Sequence, residues 1–392
     1  MKIAMIGQKG IPASYGGVER HVHDLAVRLV ESGQAVTVYS RRWYTKTSAD
    51  SVAGVRAVYL PSIATKHLDT ISHTLLASLH ALGGRFDVIH YHGVGPALWS
   101  WLPRLFSPRT KVVTTFHSID RYHQKWNRFA RLVLRLGEWA ACLFAHATIT
   151  ISPTLQSYCR NEFGRETNYI PSGVPTVHGA APAAREHLDQ FGLFPGEYIL
   201  TVGRLIPCKA VHVLIEAFRR LKQTNSDHPA VARLKLVIVG GSVFTDEYVR
   251  ELHRQASPCN DIVFTDFQSG PILGTLYRHA LLLAQPSLIE GLPITVLEGM
   301  SYRKAVLASN IAEHYQLVQD GSLLFEPNNS SALADALLHY IDLPDDAKAQ
   351  IAERNYRLVQ EQYSWETVLA QIIDVYGTPA AAAKAERCEA LT

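Results

Sequence analysis

At 392 residues the chain is long enough for two ordinary domains, each with a core of its own. Apolar residues make up 47% and charged residues 19%, a globular composition that excludes a disordered or fibrous chain. A formal net charge of +3 is too near balance to point to nucleic acid, so any anion must be met by a local patch.

The five cysteines (Cys142, Cys159, Cys208, Cys259, Cys388) are odd in number, scattered, and form no C-x-x-C pair. That pattern argues against zinc clusters and a disulfide framework, and for a reduced compartment, the cytoplasm. The opening MKIAMIG runs straight into a strand pattern without a signal-peptide layout. No stretch approaches the roughly 20 apolar residues of a spanning helix. The expectation is a protein that is soluble or lies on a membrane surface.

In chain order, strands are expected at 2–7, 35–40, 55–60, 87–92, 111–117 and 147–152, with helical patterns such as Gly17–Ser32 and His67–Leu82 between them. Mostly apolar strands alternating with helices predict a parallel sheet covered on both faces. The pattern restarts at YILTVGR (198–204) and continues through 234–240, 261–266, 281–287 and 305–310. Between the halves, Gly173–Gly196 is rich in Pro, Ala and Gly and reads as a linker. The division is therefore a first domain over 1–173, a linker over 174–196 and a second domain over 197–363. A helix over 364–377 returns to the first domain, and 378–392 forms a frayed Ala-rich tail. Two doubly wound domains facing each other bind ligands at the carboxyl ends of their strands.

Four segments carry chemistry. In PSLIEGLPITVLEGM (286–300), Glu290 and Glu298 stand eight positions apart around a Gly291-Leu292-Pro293 turn that starts a helix. Free amides at that helix start favour anions, so a carboxylate beside them either accepts from hydroxyls, which sugars supply, or is, like Glu298, a plain surface charge of the helix. In VGRLIPCKAVHVLIEAF (202–218), Arg204 ends a strand and Lys209 opens a helix, a guanidinium and an ammonium suited to a diphosphate. In GQKGIPASYGGVER (7–20), Gly16-Gly17 would let backbone amides approach a phosphate, or mark a plain turn. In TTFHSID (114–120), His117 ends an apolar strand, where it can line a cleft or serve the core. His90 and His92 share one strand face, but no third metal ligand stands at a recognisable spacing, and the chain has no Asp-x-Asp. No metal and no other cofactor is expected.

Together these segments resemble the retaining nucleotide-sugar glycosyltransferases of family 4, whose α/β fold, GT-B, sets two Rossmann-like doubly wound domains face to face. The E-x7-E element from Glu290 to Glu298 is the most specific part. The stretches GIPASYGG, TKHLDTISHTLL and HGVGPALW are similar to rhamnosyltransferase-type enzymes of bacterial exopolysaccharide and O-antigen synthesis. The resemblance implies that Arg204 and Lys209 hold the donor diphosphate and that Glu290, with amides near Gly291 and Leu292, holds sugar hydroxyls. It further implies that Glu298 binds ribose hydroxyls, that Gly16 and Gly17 close over the phosphates, and that His117 lines the sugar and acceptor side. It departs from the family pattern at Lys209-Ala210, where lysine-glycine is usual. Cys208 stands where glutamate is common, and Arg303-Lys304-Ala305 stands where glycine-x-proline is usual.

The implied partners are a nucleotide-sugar donor and a glycan or lipid-linked acceptor. An epimerase of the same fold and a non-catalytic nucleotide-sugar-binding subunit are the rival readings. The segment Arg121–Ala147 places Trp126, Phe129, Val133, Leu136, Ala140 and Leu143 on one helical side and Arg128, Arg131 and Arg135 on another. Two readings stay open: a basic helix on the cytoplasmic face of a membrane, or an apolar side packed into the first domain.

Overall fold

The computed structural model describes residues 1–13, 16–44, 49–63, 65, 68–122, 128–175, 177, 185–242 and 245–377. The chain divides into two compact units, Met1–Gly173 joined by the segment from Trp365, and Val174–Ser364.

The first unit runs β1 (Lys2–Ile6), α1 (Gly17–Glu31), β2 (Ala35–Arg41), β3 (Ser51–Val52), β4 (Val55–Leu60), α2 (Asp69–Gly83) and β5 (Val88–His92). It continues through α3 (Val94–Ala97), α4 (Trp101–Phe106), β6 (Lys111–Phe116), α5 (Arg128–Leu143), β7 (Ala147–Thr150), α6 (Pro153–Phe163) and β8 (Asn168–Tyr169). The strands form one sheet in the order β3-β4-β2-β1-β5-β6-β7-β8, parallel except for the β3–β4 pair. Strands such as VIHYH and KVVTTF are buried along their whole length, as a sheet covered on both faces requires. Right-handed crossovers place α2 to α6 on one face and α1 on the other.

The second unit contains α7 (Glu186–Asp189), β9 (Tyr198–Val202), α8 (Val211–Thr224), α9 (Pro229–Arg233), β10 (Lys235–Val239), α10 (Asp246–Ala256), β11 (Ile262–Phe264) and α11 (Gly270–His279). After these come β12 (Leu282–Gln285), α12 (Ile294–Ser301), β13 (Val306–Ser309), α13 (Ala312–Val318), β14 (Leu324–Phe325), α14 (Ser330–Asp342) and α15 (Asp345–Leu358). Its sheet is parallel, in the order β11-β10-β9-β12-β13-β14. Leu200, Val237, Leu283 and Leu307 from its central strands share one core with Leu214 and Phe218 of α8 and Leu297 of α12.

The last helix, α16 (Trp365–Gly377), belongs to the first unit. Its Trp365, Val368 and Ile372 join the core formed by Val22, Leu25 and Leu29 of α1. The expected tail lies outside the described residues.

One expectation needs correction, and one of the two readings left open for α5 fails. Within the expected linker, the described residues Val174 and 185–196 pack into the second unit: Val174, Leu188 and Leu193 are buried in its core and His187 Nδ1 meets Thr275 Oγ1 at 3.1 Å. The one helix among the described residues of this segment has only four residues, too short to show a repeat. Helix α5 does not pack its large apolar side inward. It turns small residues (Ala130, Gly137, Ala140, Ala141) to the core, while Phe129, Leu136 and Leu143 face solvent. A Cβ on Gly137 would stand 2.2 Å from the Val94 carbonyl oxygen, so the approach of α3 to α5 demands small side chains there. Val133 is half-buried, and Trp126 lies outside the described residues.

Candidate active site

In the second unit the winding reverses between β9 and β12, and such a reversal opens a crevice beyond the strand carboxyl ends. Arg204 follows β9, and Lys209 ends a tight helical turn, Pro207–Lys209. Glu290 lies in the loop after β12. The Cys208 carbonyl accepts from the Leu288 N–H at 2.8 Å, which brings the two loops together. Lys209 Nζ then donates to Glu290 Oε1 at 2.5 Å, with the side chains only 17% and 7% exposed. Burial alone would raise the Glu290 carboxyl, but the Lys209 ammonium and hydrogen bonds from Lys209 and Ser287 outweigh it and hold the pKa below the ordinary value. Glu290 is thus a fixed carboxylate.

Arg204 is exposed, and its guanidinium makes no hydrogen bond or ion pair among the described residues. Lys209 owes its position to Ala210, which takes a left-handed backbone, φ 49°, between the turn and α8. Arg303 does the same at φ 56°. Both are positions where the family pattern has glycine, so the departures keep the backbone shape and add local strain. Glu298 is buried on α12 and accepts from the Tyr277 hydroxyl at 2.9 Å. Pro293 caps α12 rather than opening it, and Gly291 and Leu292 precede it in the loop with amides that donate to no partner among the described residues.

Sequence reading missed three polar side chains around Glu290. Gln285 Nε2, at the end of β12, approaches Ser287 Oγ at 3.0 Å and Glu290 Oε1 at 3.4 Å. Ser309 ends β13 and donates to the Ser287 carbonyl. His314 of α13 is fully buried, its Nδ1 2.9 Å from the Ser309 carbonyl oxygen. That contact puts the proton on Nδ1 and leaves Nε2 as an acceptor without a partner among the described residues. Burial lowers the His314 pKa, against a raising effect of the nearby Glu290. The only sequence signal was a polar residue closing each apolar strand, LLAQ and VLAS.

In the first unit the reversal falls between β1 and β5. Gly7 follows β1 at φ +127°, and a Cβ there would stand 2.4 Å from the His92 carbonyl oxygen, so the chain passes this close only as glycine. Gly16 caps α1 at φ +103° and Gly17 begins the helix. A Cβ on Gly16 would fall 1.9 Å from Glu19 Oε2, so that carboxylate lies against the helix N-terminus, where the dipole favours negative charge. Ser14 and Tyr15, between Gly7 and Gly16, lie outside the described residues.

His117, just beyond β6, meets His92 Nδ1 through its Nε2 at 3.4 Å. His21 of α1 joins them, and one nitrogen from each ring lies within 4.8 Å of the others. His90 lies against His92, ring centroids 4.0 Å apart, but its two nitrogens are engaged by the Tyr376 hydroxyl at 2.6 Å and Thr115 Oγ1 at 2.7 Å. The H-x-H spacing supplies only His92 to this trio; His21 and His117 come from other elements, brought in by topology. Burial lowers all four pKa values, His21 to about 4 and His90 to about 3, so these rings are neutral near pH 7. Neutral imidazoles can accept and donate hydrogen bonds or hold a borderline metal ion. They cannot neutralise a diphosphate.

The two doubly wound units thus carry a buried lysine–carboxylate pair at one switch point and neutral histidines at the other. Residues 186–358 match the family of group 1 glycosyl transferases, and residues 15–178 match glycosyltransferase family 4. The chain is a GT-B glycosyltransferase of the group 1, family 4 type. It is 26% identical to O-antigen chain mannosyltransferase B of Escherichia coli over 303 residues, 73% of each chain. It is also 26% identical to the glycogen synthase of Mycobacterium tuberculosis, over 96% of this chain and 94% of that one. Among solved structures, Anabaena HepE in complex with UDP and glucose superposes with a TM-score of 0.76 at 21% identity, covering 96% of this chain and 99% of that one. No helix among the described residues is long and apolar enough to cross a membrane.

Proposed function

We propose that the protein moves a hexose or deoxyhexose, rhamnose being the candidate its N-terminal stretches suggest, from a nucleoside-diphosphate sugar to a glycan or lipid-linked acceptor. The transfer retains the anomeric configuration and serves cell-surface polysaccharide synthesis at the cytoplasmic face of the membrane. The observation that carries this reading is the Lys209–Glu290 pair at the β9/β12 switch point. A cation placed for phosphate and a carboxylate placed for hydroxyls, side by side, match the two halves of such a donor. UDP in the HepE structure and the O-antigen role of the mannosyltransferase support the donor class and the setting.

In this reading the acceptor oxygen forms a bond to the anomeric carbon as the bond from that carbon to the diphosphate oxygen breaks. The acceptor's proton passes to the departing phosphate. Negative charge concentrates on the diphosphate, and Arg204 and Lys209 stabilise it more in the transition state than in the ground state. One cation about 4 Å from a charge is worth on the order of 4 kcal/mol at an effective dielectric near 20, so two can serve without a divalent metal. Glu290 and the Gly291 and Leu292 amides hold the sugar, and Glu298 holds the ribose. Gly16 and Gly17 approach the phosphates, and neutral His117 lines the acceptor side.

Incubation with a panel of nucleotide sugars, alone and with lipid-linked acceptor, tests the reading. Release of nucleoside diphosphate should depend on acceptor and survive exhaustive chelation. Conversion of the donor sugar without acceptor would make the protein an epimerase. Binding without either reaction would make it a scaffold subunit, and loss of transfer on chelation that manganese or magnesium restores would overturn the metal-free mechanism.

A further inference from the structure

The outer side of α5 carries Phe129, Leu132, Leu136, Trp139 and Leu143, each between 41% and 69% exposed. Their spacing of three, four, three and four residues aligns them in one stripe, about 21 Å long at 1.5 Å per residue. Large apolar side chains on one exposed helix face form a patch that water does not favour. At the foot of the stripe, α4 ends in Leu105 and Phe106, which are also exposed. Arg104 of α4 meets His146, just beyond α5, so the two helix ends lie together on the same face of the sheet.

Charge borders this patch on one side. Arg128 and Arg131 are exposed one turn apart and form no ion pair among the described residues. Arg135 is engaged with Glu138 and Glu162. Glu138, the only carboxylate of α5, is buried and held by Arg121, Arg135 and the Tyr158 hydroxyl. Arg109 is exposed beside the tip of α4. The border is cationic, with no exposed acid on the helix. A second copy of the chain would bring arginine against arginine, whereas an anionic lipid surface supplies the opposite charge and an apolar interior for the stripe.

We propose that this face of the first unit is a membrane-docking surface, with α5 lying in the plane of an anionic bilayer, its apolar stripe inserted among the acyl chains and Arg128 and Arg131 at the headgroups. The surface would present the enzyme to a lipid-linked acceptor, and to that extent it rests on the proposed function. Arginines alone would give a contact that salt abolishes. The inserted stripe adds a part that salt leaves in place.

Flotation with phosphatidylglycerol-containing vesicles and with pure phosphatidylcholine vesicles is the test. The wild type should bind the anionic vesicles, more weakly at high salt but measurably. Binding should fall at least about tenfold in Phe129→Ser/Trp139→Ser and again in Arg128→Glu/Arg131→Glu, both melting like the wild type. Wild type that does not float with anionic vesicles, or a serine double variant that floats equally well, overturns the proposal. So does a wild-type dimer in sedimentation that the serine variant abolishes, because a second copy then covers the stripe. Transfer to a water-soluble acceptor, measured alongside, separates the two claims. Protein that transfers but does not float loses the docking surface only, and protein that floats but does not transfer loses the function only.

Discussion

The two units use one winding pattern and fill the reversal point with opposite chemistry. In the second unit a glutamate keeps its charge under burial because a lysine is its partner. In the first, histidines are buried without a carboxylate partner and stay neutral. The contrast teaches that position in the fold marks where a ligand binds, whereas the balance of desolvation and pairing decides what kind of group is met there.

The strongest test of that contrast is Glu290→Gln, which keeps shape and removes charge. Transfer should fall by roughly one to three orders of magnitude, about 1.4–4 kcal/mol, while binding of the free nucleoside diphosphate barely changes in calorimetry. A wild-type transfer rate in a folded protein would make the carboxylate a structural partner of Lys209 and nothing more.

Acid should then separate the units. A histidine whose folded pKa is lowered contributes stability in full above its unfolded value of 6.5, and loses it as pH falls toward the folded value, about 4 for His21. His21 alone is worth on the order of 3 kcal/mol over that window. Glu290, also lowered, contributes above its ordinary 4.5 and fails only as pH falls through its folded value. Hydrogen exchange should therefore show β5 and α1 loosening between pH 6.5 and 4, before the loop after β9, while α13, whose buried His314 is lowered as well, loosens in part over the same window. His21→Gln should flatten the first dependence.

Lys209→Met has a double effect, because it removes a phosphate contact and leaves Glu290 buried without its cation. Denaturant unfolding should report a loss of about 1–3 kcal/mol, less than for a fully buried pair because Lys209 is partly solvated. Adding Glu290→Gln should restore part of that loss, a non-additivity that a double-mutant cycle measures directly. The smallest effect belongs to Ala210→Gly. Relief of the left-handed strain is partly offset by the entropy of glycine, so stability should rise by no more than about 1 kcal/mol with transfer unchanged.

The long strands were legible because their β-branched runs outlast any helical turn; β4 spans the expected residues 55–60. The two-residue strands β3, β8 and β14 were not, since pairing rather than sequence defines them. Within the site, Lys209 and Glu290 were found through loop chemistry and do meet, whereas His21, Gln285 and His314 sit on separate elements with no spacing to connect them. Of the two readings left open for α5, the packed apolar side fails for a related reason. Hydrophobicity ranks Leu and Phe above Ala and Gly, yet close helix approach selects the smaller pair.

The strands at the borders of the two sheets have a consequence for how the protein survives at high concentration. Both sheets are built of apolar parallel strands that would make good templates for intermolecular β-pairing if their sides were open. Each sheet instead ends in stubs: β3 and β8 of two residues in the first, β11 of three and β14 of two in the second. A stub offers a neighbouring chain too few free backbone groups to nucleate a ladder, so the aggregation-prone centre is fenced by segments too short to propagate it.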